Sequence, residues 1–308
     1  MVDEGLCMAV KAVRSLVAGA RCMLGNRIFL PSLLGAVASA GSAIGADVTK
    51  ELEIIGRPDP ASWEFQKAVT EVARDIIWLD NILLYIITVI CAVVVGLLLI
   101  VILRYNSRSN PTPATFTHNT PVEIVWTVIP IVILVGIGAI SLPVLFKQQT
   151  IPDADITIKA TGNQWYWTYE YPDHEISFDS FMLERDQLEE FGYSQDEYLL
   201  ATDTAVVIPV DKTVVVYVTA SDVIHAWTVP SFGVKQDAVP GRLAGLWFKA
   251  EEEGIFFGQC SELCGKDHTY MPITVKVVDQ ATYEKWLDDA VEEYASLPVP
   301  EAIRIASR

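Results

Sequence analysis

Residues 82–103 read ILLYIITVICAVVVGLLLIVIL, an unbroken run without a single charge. At about 1.5 Å of rise per helical residue, a run of this length crosses the ~30 Å hydrocarbon core of a bilayer. A helix in a soluble core shows a polar face somewhere along its circumference, and this one shows none, so the sequence predicts a membrane span. Residues 124–146, IVWTVIPIVILVGIGAISLPVLF, are a second uncharged run. Pro130 and Pro143 within it are tolerable in a membrane, where neighbouring groups satisfy the carbonyls that proline frees. Two spans joined by one short loop make a helical hairpin.

The joining loop, residues 104–119 (RYNSRSNPTPATFTHN), carries Arg104 and Arg108 and no acid. The positive-inside rule assigns it to the cytoplasm. The segment before the first span and everything after Lys147 then face the periplasm, with His118 on the opposite side. This predicts a two-pass protein of the bacterial inner membrane with both termini periplasmic. Residues 28–46 follow Arg27, are apolar and end in small side chains, which reads as a secretory signal cleaved near Ala46, with Met8 or Met23 as alternative starts. Cys7 and Cys22 are expected to be lost with it, and Cys91 to be an inert thiol in the first span. The predicted organisation is a signal or precursor segment (1–46), an external N-terminal segment (47–77), the hairpin (78–148), an external β domain (149–280), and a terminal helix and tail (281–308).

The formal charge of −17 has an address. Residues 1–150 carry 11 basic and 11 acidic side chains, whereas residues 151–308 carry 11 basic and 28 acidic ones. A field of that sign attracts a cationic partner and excludes nucleic acid as a ligand. Along this external part, short runs rich in Val, Ile, Thr and aromatics recur at 156–160, 165–171, 205–210, 213–218, 246–250, 255–258 and 273–278, separated by turn residues. They predict an antiparallel sandwich or barrel. Acid-rich residues 183–198 read as a helix or ordered surface excursion. Residues 279–296 have the pattern of an amphipathic terminal helix, followed by a loose tail.

One segment of the external domain carries metal chemistry: Cys260-Ser-Glu-Leu-Cys264-Gly-Lys-Asp-His268-Thr-Tyr-Met271. Thiolate, imidazole and thioether together favour copper, since structural zinc rarely recruits Met and calcium or magnesium prefers oxygen. A blue-copper site uses one thiolate; a second, four residues on, hints at a pair of metals. A Cys260–Cys264 disulfide is the competing reading. Of the remaining histidines, His225 is the best further donor, because it follows the strand-like run 213–219. His174 lies in the polar turn 171–175. No Cys-x-x-Cys-His occurs, so the chain binds no c-type haem of its own.

Beyond these single features, several motifs in order resemble subunit II of haem-copper cytochrome c oxidases of the aa3 type found in alphaproteobacteria and mitochondria. They are Phe116-Thr-His-Asn with Glu123-Ile-Val-Trp-Thr, the run 162–171 (GNQWYWTYEY), Asp222-Val-Ile-His225, the run 234–242 (VKQDAVPGR), and Gly258-Gln-Cys260 through Met271-Pro272. Asn163 stands where many relatives have His. The resemblance implies a membrane-anchored all-β protein, a two-helix hairpin followed by a cupredoxin-like domain. It implies a binuclear CuA centre held by His225, Cys260, Glu262 (through its carbonyl), Cys264, His268 and Met271. The Glu262 side chain is expected to reach a magnesium or manganese ion shared with subunit I. The family takes electrons from cytochrome c at the first Trp of the aromatic run, here Trp165, and passes them to haem a of subunit I, where oxygen becomes water and protons are pumped. Glu170, Asp173, Asp179 and Asp222 are expected to face cytochrome c, and Glu123 to feed protons into subunit I. Asp237 and Arg242 fall in a segment expected to lie against that subunit. Subunit III and membrane lipid complete the expected partners. A quinol oxidase subunit, which lacks copper ligands, is disfavoured by the full ligand set. A copper carrier would need neither two spans nor the aromatic run.

Overall fold

The computed structural model describes residues 52–294. The expected signal segment, Cys7, Cys22 and the tail after residue 296 lie outside the described residues. After one short strand come two long helices, α1 (Glu71–Arg104) and α2 (Thr120–Gln149). Thr70 caps α1: its hydroxyl accepts from Ala73 N–H at 3.0 Å and donates to the Phe232 carbonyl at 2.8 Å. Asn119 caps α2, accepting from Val122 N–H at 3.3 Å. Among the described residues these are the helices long and apolar enough to cross a membrane, and beyond the first turn of α1, where Val72 and Ala73 are buried, none of their side chains is buried. They anchor the chain in a membrane as a hairpin.

The remainder is a two-layer β domain. Its strands are β1 (Ile54–Gly56), β2 (Ile156–Asn163), β3 (Tyr166–Tyr171), β4 (Ile176–Ser180), β5 (Val206–Pro209), β6 (Thr213–Ala220), β7 (His225–Val229), β8 (Val234–Ala238), β9 (Ala244–Lys249), β10 (Gly254–Gln259) and β11 (Pro272–Val278), and α3 (Gln280–Tyr294) follows. One sheet has the order β1-β10-β11-β5, the other β4-β3-β2-β6-β9, and the β7-β8 hairpin closes the space between them. The purely antiparallel arrangement expected from the sequence is not what forms. β2–β6, β5–β11 and β1–β10 pair in parallel, because the chain crosses from one sheet to the other between them.

Alternation explains the core. β2 buries Ile158 and Ala160, β6 buries Val214, Val216 and Val218, and β3 turns Trp167, Tyr169 and Tyr171 inward. Tyr171 spans the layers: its hydroxyl donates to the Val207 carbonyl at 2.9 Å and accepts from Val207 N–H at 3.1 Å. All of β11 is buried. Outside the sandwich, residues 183–201 form turns and one 3-10 turn (Gln195–Glu197), so of the two forms expected for 183–198 it is the ordered excursion, not the helix, that occurs. They place Leu183, Leu188 and Tyr193 against Ile255 and Phe257 as a second small core. Glu197 is buried there, accepts from Ser194 N–H at 2.8 Å and pairs with Arg57 at 2.9 Å.

The hairpin is bolted to this domain. Arg74 of α1 pairs twice with Glu251 of the domain, both contacts at 2.8 Å, and the Trp247 indole N–H donates to the Lys147 carbonyl of α2 at 3.3 Å, while within the hairpin Lys147 joins α2 to α1 through Asp75 at 2.6 Å and Glu71 at 2.5 Å. Gly233 adopts φ +69°, and a Cβ there would lie 2.6 Å from Ala73 Cα. Gly258 on β10 is tighter still, since a Cβ would fall 1.8 Å from the Thr228 carbonyl oxygen of β7. The atoms met are the backbone of β7 at Thr228 and Val229, which cannot swing aside as a side chain could. Gly258→Ala in the detergent-solubilised full chain is therefore expected to cost about 3 kcal/mol, seen as a lower denaturant midpoint at unchanged slope; a midpoint within about 0.5 kcal/mol of the parent contradicts this packing.

Candidate metal centre

Three connections meet at one end of the sandwich: the turn between β2 and β3, the loop between β6 and β7, and the loop between β10 and β11. The last is residues 260–271. Its base is closed by Cys260 N–H donating to the Met271 carbonyl at 3.0 Å, and it is docked on β7 by Ser261 N–H donating to the Ala226 carbonyl at 3.0 Å. A tight return follows from the antiparallel register of β10 and β11, in which Gln259 faces Pro272.

Both thiols point into the interior, with Cys260 6% and Cys264 4% exposed, and no disulfide joins them. Their sulfurs are 3.9 Å apart. His225 Nδ1 lies 3.8 Å from Cys260 Sγ, and His268 Nδ1 lies 3.4 Å from Cys264 Sγ. Each thiol thus faces one imidazole. The Glu262 carbonyl oxygen is 3.3 Å from Cys260 Sγ, while the Glu262 side chain is exposed. Met271 is buried at the loop's closing end. His225, Cys260 and Cys264 offer ligand atoms within 4.8 Å of one another, so the cluster can hold a metal ion. Soft sulfur and imidazole donors with a carbonyl and a thioether nearby fit copper.

The electrostatics fit a metal-ready site. Burial raises the Cys260 pKa, but hydrogen bonding to His225 and to backbone groups outweighs it and pulls the thiol down into the neutral range. Burial and the Cys260 charge push Cys264 the other way. One thiolate therefore forms readily, and a second waits for a cation. Burial lowers the His225 pKa, and its bonds to Cys260 and Asp222 more than offset this, so the net shift is upward.

His225 is completely buried at the start of β7. Gly162 makes room for it: a Cβ there would sit 2.8 Å from the imidazole Cδ2. Trp167 meets the ring edge-on, with centroids 6.0 Å apart. Asp222 holds the far nitrogen, its Oδ1 accepting from His225 Nε2 at 2.9 Å. Trp165 sits on the β2–β3 turn, half-buried, and its Nε1–H donates to the Cys264 carbonyl at 3.3 Å. Beside it the Gln164 amide donates to the same carbonyl at 2.8 Å. Gly265, at φ +128°, is what lets both approach, since its Cβ would fall 3.1 Å from the indole.

Other expected residues fall elsewhere. Asp179 is exposed on β4 and accepts from Thr168 Oγ1 at 2.6 Å. Asp173 is exposed in the β3–β4 turn, at the opposite end of β3 from Trp165. Glu170 needs correcting. It is 6% exposed and paired with Lys159 at 2.6 Å, its cross-strand neighbour, so it does not present a docking charge. Glu123 lies in the first turn of α2, where its carboxylate accepts from Asn119 N–H at 3.1 Å. Arg242 donates to the Asp237 carbonyl at 3.4 Å, not to its side chain. His118 and His174 are exposed and remote. Gln164, Gly162 and Gly265 lie in quoted motifs, but only tertiary contact reveals their part.

Comparison with known proteins shows the family. The family described as cytochrome c oxidase subunit II, periplasmic domain, matches residues 156–278, and the family described as its transmembrane domain matches residues 58–144. Cytochrome c oxidase subunit 2 of Cereibacter sphaeroides is 58% identical over 270 residues, covering 83% of this chain and 89% of that protein. Probable cytochrome c oxidase subunit 2 of Rickettsia bellii is 45% identical over 232 residues, 74% of this chain and 85% of that one. The solved periplasmic domain of subunit II of cytochrome oxidase from Bradyrhizobium japonicum is 50% identical, covering 47% of this chain and all of that domain, with a TM-score of 0.43. With both family descriptions matched along most of its length and these relatives alongside, the chain belongs to the cytochrome c oxidase subunit II family.

Proposed function

We propose that this chain accepts electrons one at a time from reduced cytochrome c, at a binuclear CuA centre, and passes them to haem a of subunit I. It is a subunit of a membrane-bound haem-copper terminal oxidase, in which oxygen is reduced to water and protons are pumped. The observation that carries the proposal is the paired geometry, with two buried thiols 3.9 Å apart and one imidazole Nδ1 beside each. A single-copper site needs one thiolate, and the duplicated donor set answers to two metals. His225, Cys260, Cys264, His268 and Met271, with the Glu262 carbonyl, would hold them. When bound, the copper pair would supply a one-electron store.

The chain's own residues do the rest. Trp165 presents part of its indole outward and ties its inner edge to the Cys264 carbonyl, which gives a short bonded route from surface to thiol. Burial of both cysteines keeps water off the sulfurs. The acid excess of the external domain, Asp179 included, draws in a cationic donor and speeds encounter. The exposed Glu262 carboxylate offers a ligand for magnesium or manganese at the boundary with subunit I, and Glu123 a proton acceptor at the cytoplasmic mouth of α2. In this reading the β domain is periplasmic, and subunits I and III pack on the outward-facing apolar surfaces of the hairpin.

Metal analysis and EPR of the assembled oxidase test the central point. The parent is expected to show two coppers attributable to this chain and a signal shared by both. Cys260→Ser is expected to abolish that signal while haem spectra persist; an unaltered signal overturns the assignment. Trp165→Phe is expected to leave copper in place and slow cytochrome c oxidation by roughly 100-fold, about 2.7 kcal/mol in barrier. Oxidation at the parental rate removes Trp165 from the route.

A further inference from the structure

We infer that Asp222 and Gln164 are positioning residues that lace the His225 loop to the cysteine loop. The inference rests on reading the cysteine loop as the copper centre, and it gives Asp222, which is exposed at the surface, an inward role in the site's architecture besides any part in docking. Asp222 uses both carboxylate oxygens inward. Oδ1 accepts from His225 Nε2 at 2.9 Å and from Val223 N–H at 2.6 Å, and Oδ2 accepts from Gln164 N–H at 2.7 Å. An ionised carboxylate only accepts, so the imidazole proton sits on Nε2 and the Nδ1 lone pair is left for the side that faces Cys260 Sγ. A ring fixed in that tautomer is ready to ligate through Nδ1.

Gln164 completes the tie. Its backbone N–H is held by Asp222 while its side-chain amide donates to the Cys264 carbonyl at 2.8 Å. A continuous hydrogen-bonded path thus runs from the imidazole through the carboxylate and the Gln164 residue to the second cysteine. The same turn carries Trp165, whose indole bonds that carbonyl too. Movement of Asp222 would therefore disturb His225, the Cys264 main chain and the indole together. Asp179, by contrast, spends one oxygen on a neighbouring strand's hydroxyl and is free to present charge outward.

The two roles separate in the assembled oxidase. Asp222→Ala is expected to lose copper to a chelator roughly 10-fold or more faster than the parent and to alter the copper hyperfine pattern, the scale seen when a ligand's supporting partner is removed. Asp222→Asn, neutral but still able to accept from Nε2–H, is expected to restore most of the parental spectrum. Gln164→Ala, which deletes the amide bonded to the Cys264 carbonyl while leaving every ligand residue in place, is expected to shift the spectrum in the same direction by less. An acid that served docking alone would behave oppositely. If Asp222→Ala and Gln164→Ala both retain copper with parental spectra, and Asp222→Ala and Asp222→Asn equally flatten the dependence of kcat/KM for cytochrome c on ionic strength, the inference is overturned. Absence of any paired-copper signal in the parent would remove the proposed function itself and this inference with it.

Discussion

A hydrogen bond at the base of one loop sets up the rest of this molecule. By donating to the Met271 carbonyl, Cys260 N–H pinches residues 260–271 into a closed excursion between two core strands. That closure turns both thiols inward and sets Met271 beside the first of them. β10 in turn is fixed by what lies on each side of it. Gly258 lets it press onto β7, which carries His225, and β1 runs parallel along its other edge. The loop's position is thus a consequence of strand packing and glycine placement, with metal ligation added on top.

A second constraint joins this end of the sandwich to the membrane. The helices of the hairpin could swivel if connected by chain alone, yet the Arg74–Glu251 ion pair, the Trp247 indole on the Lys147 carbonyl and the Thr70 cap on the Phe232 carbonyl tie them to the domain, and Lys147 ties α2 to α1. Gly233 brings the domain's backbone against α1 itself. Single surface ion pairs contribute little, of the order of 1 kcal/mol or less each. Several converging on one helix end with a buried cap define an orientation more than they add stability. For a chain that hands electrons to a neighbouring subunit, a fixed height above the bilayer matters, because electron transfer is steeply sensitive to separation.

The sequence made some of this legible and withheld the rest for identifiable reasons. Residues 82–103 and 124–146 announce themselves because membrane insertion depends on composition, which is local. Cys260, Cys264, His268 and Met271 are equally plain, being neighbours in the chain. Alternation in residues 156–160 and 213–218 marks strands, but which strand each one pairs with is a long-range matter, so the parallel β2–β6 ladder could not be read from either run alone. β1, β4, β7 and β8 are short, and β7 runs directly into Pro230, which masked it. Residues 183–201 looked like surface because they are acidic, whereas three apolar side chains there find a face of β10 to cover. Glu170 misled by residue type, and only the register of β2 on β3 shows Lys159 opposite it. The bonds linking Asp222, Gln164 and Cys264 join three segments far apart in sequence, so no spacing rule could have revealed them.

The central claim is that Cys260 and Cys264, with His225 and His268 beside them, would together hold a pair of metals. Copper K-edge X-ray absorption on the assembled oxidase tests it most directly. The account predicts sulfur and nitrogen nearest neighbours together with a strong copper–copper contribution that vanishes in Cys264→Ser. Copper surrounded by sulfur and nitrogen with no metal neighbour in the parent would contradict it.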